Sequence, residues 1–213
     1  MARKNGLFIS LEGGEGSGKS TQGRLIKRYL VQKGYQVITT IEPGGTEIGN
    51  QIRDILLSPS NKKMIPLTEL FLYLSSRAQI VQEIIQPALT QGKAVLCDRY
   101  ADSSVAYQGV GRKLGVDRVK RFNSIATTGL EPDLTFFFDI DPKLGLSRRA
   151  KSARGKMDRL EKERLAFHHR VRKGYLALAK KYPHRIKVIP VRKDSSPTEI
   201  FQLVKKAIDQ LKV

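Results

Sequence analysis

The chain has no tryptophan and a single cysteine. One cysteine excludes an internal disulfide, and Cys97 lies inside an apolar run, where a buried thiol is expected rather than a reactive one. No run approaches the roughly 18 apolar residues that a membrane span requires. The basic start, Met1 to Gly6, leads into an apolar stretch too short for a secretory signal. Acidic residues are few: 20 Asp and Glu stand against 39 Lys and Arg, a formal net charge of +19. That surplus favours polyanionic partners such as nucleic acid, anionic membrane or phosphorylated small molecules, with a solvated basic face as the alternative. Histidine occurs three times. His168 and His169 are adjacent, so they point to different helix faces and argue against a metal pair; all three histidines are expected at the surface or satisfied within the structure. At 213 residues and 40% hydrophobic, the chain suits one domain with a full core, and a cytoplasmic protein is the expected class.

Hydrophobic patterning alternates between strand and helix. Short apolar strands are expected at 7–11, 36–41, 94–97, 134–140 and 186–191. Helices are expected at about 18–33, 46–57, 66–91, 102–130 with breaks at Gly109, Gly111 and Gly115, from Pro142, about 159–181, and after Ser196. Pro87 predicts a kink or an early end in the long third helix. Ser196-Pro197-Thr198-Glu199 has the pattern of a capping box. Near-continuous apolar strands between helices predict a three-layer α/β fold: a five-stranded parallel sheet with helices on both faces. The whole chain, 1–213, reads as one domain.

Gly13-Gly14-Glu15-Gly16-Ser17-Gly18-Lys19-Ser20 fits G-x-x-x-x-G-K-[ST], the phosphate-binding P-loop, with a strand before it and a helix after. Glycines let backbone N–H groups turn inward onto an anion, and the following helix N-terminus adds a favourable dipole. Lys19 suits the β- and γ-phosphates of a nucleotide, Ser20 suits Mg²⁺, and Thr21 either supports the nucleotide or packs. A glycine-rich turn without ligand is the alternative, and the strand–loop–helix context argues against it.

Three further polar clusters follow strand ends, the edge where parallel α/β sheets bind ligands. Glu42-Pro43-Gly44-Gly45-Thr46 follows the second strand, with Arg53 two turns into the next helix. Asp98-Arg99-Tyr100 follows the third, and Asp139-Ile140-Asp141-Pro142 the fourth. Asp98 suits an outer-shell partner of Mg²⁺. Arg53 and Arg99 suit a second phosphate, because guanidinium offers bidentate geometry; a surface ion pair is the alternative for each alone. Residues 148–159 carry six cations in twelve positions. Their place after the fourth strand predicts a lid whose Arg148, Arg149 and Arg154 meet the transferring phosphoryl group, against a solvated loop or a nucleic-acid patch.

The combination of Gly13–Ser20, Glu42-Pro43-Gly44-Gly45-Thr46, Asp98-Arg99-Tyr100, Ala106-Tyr107-Gln108-Gly109 and Arg154-Gly155-Lys156-Met157-Asp158-Arg159 resembles the thymidylate kinase family of bacterial type, P-loop nucleoside monophosphate kinases. The resemblance covers nearly the whole chain. It implies transfer of the γ-phosphoryl group of ATP to dTMP with Mg²⁺, and a homodimer. It implies that Tyr73 stacks on thymine, four residues before Arg77, which would bond a base oxygen; core packing is the alternative for Tyr73. Arg53 and Arg99 would hold the dTMP phosphate, with Glu42 and Pro43 beside them. Ser103, Ser104 and Gln108 would face the base, Tyr107 the sugar, and Glu15 the 3′-hydroxyl. Ile41 departs from the arginine common in the family before E-P-G-G-T, and Tyr73 from the usual Phe. An ionised acceptor phosphate needs no strong general base, so neither Glu12 nor Glu15 is assigned as one. The rival readings are a P-loop kinase for another nucleotide and a nucleic-acid-binding ATPase. The latter leaves Arg53, Tyr73, Arg77 and Arg99 without a purpose, so nucleic acid is not expected as a partner, nor is a membrane.

Overall fold

Successive residues of a strand point to opposite faces of its sheet. In a computed structural model that describes residues 6–152 and 157–211, both faces of the central strand are covered. The strands are β1 (Leu7–Gly13), β2 (Val37–Ile41), β3 (Ala94–Asp98), β4 (Leu134–Ile140) and β5 (Ile186–Val191). They form one parallel sheet in the order β2-β3-β1-β4-β5. The helices are α1 (Lys19–Gln32), α2 (Glu47–Leu57), α3 (Pro66–Ile80), α4 (Gln86–Thr90), α5 (Ala101–Ser104), α6 (Val116–Thr127), α7 (Pro142–Ala150), α8 (Leu165–Lys181) and α9 (Pro197–Asp209). Leu7, Ile9 and Leu11 pack with Ile26 and Leu30 of α1 and Val204 of α9. On the opposite face Phe8 meets Ile80 and Ile85, while Phe137 meets Val171 and Tyr175 of α8. The expected three-layer α/β architecture is therefore present, with the P-loop at the carboxyl end of the middle strand.

Three expected helices take a different form. The long third helix does not end before Pro87; it widens into a π-helical turn at Val81–Ile85 before continuing as α4. Gln86 N–H donates to the carbonyl of Val81, five residues back. The wider turn relieves the clash that the Pro87 ring would make with the preceding turn of an α-helix. Residues 102–130 divide into α5, a second π-helical turn at Val105–Gly111, and α6. Gly115 precedes α6 at φ 93°, whereas Gly109 lies buried inside the π turn and breaks nothing. The helix expected from Arg159 begins only at Leu165. The side chain of Asp158 accepts from the N–H groups of Leu160 and Glu161, and Arg159 donates to the carbonyl of Leu56, so this stretch is held in turns. The capping box at Ser196 and Glu199 is formed in both directions.

The face of the sheet under α8 carries a buried polar seam. Ser10 pairs with Thr135 at 2.8 Å, and Arg185 donates to both oxygens of Asp102 at 2.6 and 2.9 Å. Glu12, near the end of β1, is fully buried. Its carboxyl accepts from the N–H of Tyr100 at 2.7 Å, from Ser103 Oγ at 2.5 Å and from Tyr175 Oη at 2.8 Å. One side chain thus joins the strand entering the P-loop to the loop after β3, to α5 and to α8. Burial first, and then the neighbouring Asp102 charge, push the Glu12 carboxyl up to about 7. A raised folded-state value means that the native state keeps a proton which the unfolded chain has lost between pH 4.5 and about 7. Stability contributed at this position therefore falls as pH rises through that window, by up to about 3 kcal/mol. Glu12→Gln removes the titration while keeping an acceptor oxygen. Urea unfolding should show wild-type stability, relative to the variant, dropping between pH 5 and pH 8. Parallel pH profiles would refute this account of Glu12.

Candidate active site

Backbone contact fixes the P-loop before any ligand does. Gly16 has φ 66°, and a Cβ there would stand 2.3 Å from the carbonyl oxygen of Gly145 in α7. A Cβ on Gly145 would in turn meet the carbonyl of Glu15 at 2.3 Å. Only glycine at both positions lets the loop and α7 approach this closely. The loop then turns into α1 through Gly18, another left-handed residue. Lys19 Nζ donates to the carbonyls of Gly13 and Gly14, both at 3.0 Å, and Ser17 Oγ donates to the Gly14 carbonyl at 2.8 Å. Burial, and next the Arg99 charge, lower the Lys19 ammonium below its ordinary value.

The loop forms one end of a cleft of about 450 Å³. Glu15, Gly16, Ser17, Gly18, Lys19, Ser20 and Thr21 line that end. Gly13 and Gly14 do not line it; they hold Lys19 from behind. The other end is lined by Glu42, Pro43, Arg53, Tyr73, Ser103, Ser104, Tyr107 and Gln108. Asp98 and Arg99, which follow β3, line the cleft too, as do Arg148 and Arg149 of α7. The cleft is therefore continuous from a phosphate-binding loop to an aromatic and amide-lined pocket.

Arg99 occupies the left-handed region at φ 71°, uncommon for a residue with a side chain. Its N–H donates to the Leu11 carbonyl at 2.9 Å, which ties the bend to β1. Its guanidinium donates to the Gly13 carbonyl at 2.9 Å and to Glu15 at 2.5 Å, and lies 5.2 Å from the centre of the Tyr107 ring. Arg53 donates to the Pro43 carbonyl at 2.6 Å. Arg148 donates to the carbonyls of Arg192 and Lys193, both at 3.0 Å, whereas Arg149 pairs with Glu161 at 2.5 Å. Arg154 lies outside the described residues, as does part of the expected lid at 148–159.

Arg77, expected at the base, has all its donors engaged by protein groups. It is 1% exposed and is not among the residues that line the cleft. Its five N–H groups go to Glu42 through Nε (2.8 Å) and Nη2 (2.6 Å), to Ser104 (2.8 Å), to Asn123 (2.7 Å) and to the Tyr100 carbonyl (3.1 Å). A buried guanidinium must satisfy its donors locally, and Glu42 is the nearby charge that does so. Arg77 in this geometry positions Glu42 and Ser104, which do face the cleft. His168 also differs from its expectation. It is 8% exposed, it lines the cleft, and its Nε2 is buried without a partner among the described residues. Glu161 also lines the cleft and was not singled out in the sequence, while Asp158 figured there only as part of the basic motif.

Oxygen donors suited to a hard divalent cation converge beside Lys19. Asp98 Oδ1 is buried with no hydrogen-bond partner among the described residues, and Ser20 sits in the first turn of α1. No group of three or more His, Cys, Asp or Glu among the described residues could enclose a metal alone. A cation here would thus share its coordination with phosphate oxygens and water, as Mg²⁺ commonly does.

Known proteins resemble this chain over nearly its full length. The family model for thymidylate kinase matches residues 11–200. The thymidylate kinase of Exiguobacterium sp. is 52% identical over 182 residues, 85% of each chain. That of Lactobacillus acidophilus is 48% identical over 211 residues, 97% of this chain and 94% of the relative. The crystal structure of thymidylate kinase from Ehrlichia chaffeensis matches with a TM-score of 0.77 at 32% identity, covering 96% of this chain and 99% of that one. With a family model matched over residues 11–200 and relatives 48–52% identical over most of their length, the chain belongs to the thymidylate kinase family.

Proposed function

We infer that this protein transfers the γ-phosphoryl group of ATP to dTMP, giving dTDP and ADP. The observation that carries this reading is the single cleft that joins a P-loop to a second, arginine-bordered pocket walled by Tyr73, Tyr107 and Gln108. Two polyanions meeting end to end repel each other, so catalysis here is chiefly positioning and charge compensation. The P-loop N–H groups and Lys19 hold the donor phosphates. Arg53 and Arg99 hold the acceptor phosphate from the opposite side, and Arg99 keeps its guanidinium beside Glu15. Arg148 and Arg149 approach from α7, with Arg154 on the same basic segment. The Tyr73 ring stacks on the base, Ser103, Ser104 and Gln108 border it, and Tyr107 packs against the sugar near Glu15. The acceptor oxygen is already ionised and attacks without a general base.

Mg²⁺ would be held by Ser20, with Asp98 in its outer shell, and supplies charge neutralisation on the donor phosphates. The unpartnered Asp98 Oδ1 supports this assignment. The chain acts in the cytoplasm; none of its described helices is long and apolar enough to cross a membrane. Exposed apolar residues on neighbouring helices, among them Ile55 of α2, Phe71 of α3 and Ile125 of α6 at 75% exposure, support a homodimer packed through that face.

A panel of nucleoside monophosphates with ATP and Mg²⁺ tests the activity. ADP release should be fastest with dTMP. Faster turnover of dCMP or of thymidine, or stimulation by single-stranded DNA but not by dTMP, would replace this reading. Asp98→Asn should raise the Mg²⁺ concentration giving half-maximal rate by about tenfold or more; an unchanged Mg²⁺ dependence would remove Asp98 from the metal site. Sedimentation velocity should show a particle of twice the chain mass, and Ile125→Asp should shift it towards monomer. A monomeric wild type at micromolar concentration would rule out the proposed face.

A further inference from the structure

Glu69 is a buried carboxylate on α3, one turn before Tyr73, and is 1% exposed. It does not line the cleft. Its two oxygens are surrounded by donors. Oε1 accepts from Gln108 Nε2 at 2.9 Å and from Arg112 Nε at 3.1 Å. Oε2 accepts from Arg112 Nη2 at 3.0 Å and pairs with Arg159 Nη1 at 2.6 Å. A carboxylate offers about four acceptor sites, so this one is fully used. Burial alone would favour the neutral acid, but the hydrogen bonds and charge of Arg112, aided by Gln108 and Arg159, hold the carboxyl below its ordinary value. Glu69 is therefore an ionised group that can only accept.

That fixes a choice which a glutamine side chain otherwise leaves open. The two ends of an amide have nearly the same shape, and only the surrounding network decides which end points where. Facing an acceptor-only carboxylate, Gln108 must present its nitrogen. Gln108 lines the cleft, and its carbonyl oxygen has no hydrogen-bond partner among the described residues. The end left for a ligand is thus an acceptor.

We propose that Glu69 is a positioning residue for base selection: by holding the Gln108 amide nitrogen, it turns the Gln108 carbonyl to the acceptor base, favouring pyrimidines with an N3–H. Thymine and uracil carry that N3–H donor. Cytosine carries a bare N3 lone pair, so two acceptors would face each other, and neither could be satisfied. The inference deepens the proposed function and rests on it, because it assumes that the acceptor base lies beside Gln108.

The experiment compares kcat/KM for dTMP and dCMP in the wild type, Glu69→Gln and Arg112→Gln, each checked for folding by near-UV circular dichroism. Glu69→Gln replaces the acceptor-only group with one that can also donate, so the Gln108 amide is free to turn. The preference for dTMP over dCMP should narrow by about tenfold or more. Arg112→Gln removes two of the four contacts but leaves Glu69 an acceptor, so the preference should persist. An unchanged preference in folded Glu69→Gln overturns the proposal, as does an equal narrowing in Arg112→Gln, which would mark a general loosening. A wild type that prefers another acceptor overturns the proposed function itself, and this inference with it. If Glu69→Gln does not fold, nuclear magnetic resonance of the wild type decides. The Gln108 side-chain amide protons should be protected from solvent exchange, and exchange as fast as at a surface glutamine overturns the proposal.

Discussion

The Glu12 carboxyl, buried where β1 runs into the P-loop, is the interaction on which the placement of the site depends. A carboxyl in that position must be met by donors, because burying it alone would cost several kcal/mol. The three that meet it come from separate parts of the chain: the Tyr100 backbone, Ser103 and Tyr175. Satisfying Glu12 therefore sets the distance between the phosphate-binding strand and the bend at Arg99. It also draws α8 against the sheet, where the Tyr175 ring stacks on Phe137 at 4.7 Å. Packing alone would hold these elements together less specifically, since apolar contacts tolerate small slides that hydrogen bonds do not.

Within the cleft the cations are mostly parked on neutral acceptors. Lys19, Arg53 and Arg148 each donate to backbone carbonyls. A carbonyl is a weaker partner than a phosphate oxygen, so a phosphate that took over any of these groups would replace a neutral contact with a charge-assisted one. Arg99 and Arg149 differ, because each is held by a carboxylate, Glu15 and Glu161 respectively. Those two arginines are aimed by their partners before substrate arrives, and their orientation is a property of the protein rather than of the ligand.

The sheet was legible in the sequence because each strand is a short apolar run bounded by turn residues, and the P-loop because its glycine and lysine spacing is a local pattern. The capping box at Ser196 was legible for the same reason. What escaped was non-local. Nothing near Arg77 in sequence signals that Glu42, 35 residues earlier, and Asn123, 46 residues later, absorb its donors. Pairing of that kind commits every donor of Arg77 to protein partners. The late start of α8 has a similar origin, since Arg159 is drawn towards Leu56 and Glu69 across the fold. Pro87 announced a disturbance correctly, but periodicity could not show that a π-helical turn would absorb it.

The glycine-to-glycine contact between the P-loop and α7 bears on where Arg148 can stand beside the cleft. Because the backbones of Gly16 and Gly145 already touch, α7 can neither advance nor tilt towards the loop without collision. Arg148, three residues beyond Gly145, is thus mounted on a fixed pivot, and its reach is set by the length of its own side chain. A methyl group added at either glycine would push that pivot outwards and shift the Arg148 guanidinium from the carbonyls of Arg192 and Lys193, with every charged residue still in place.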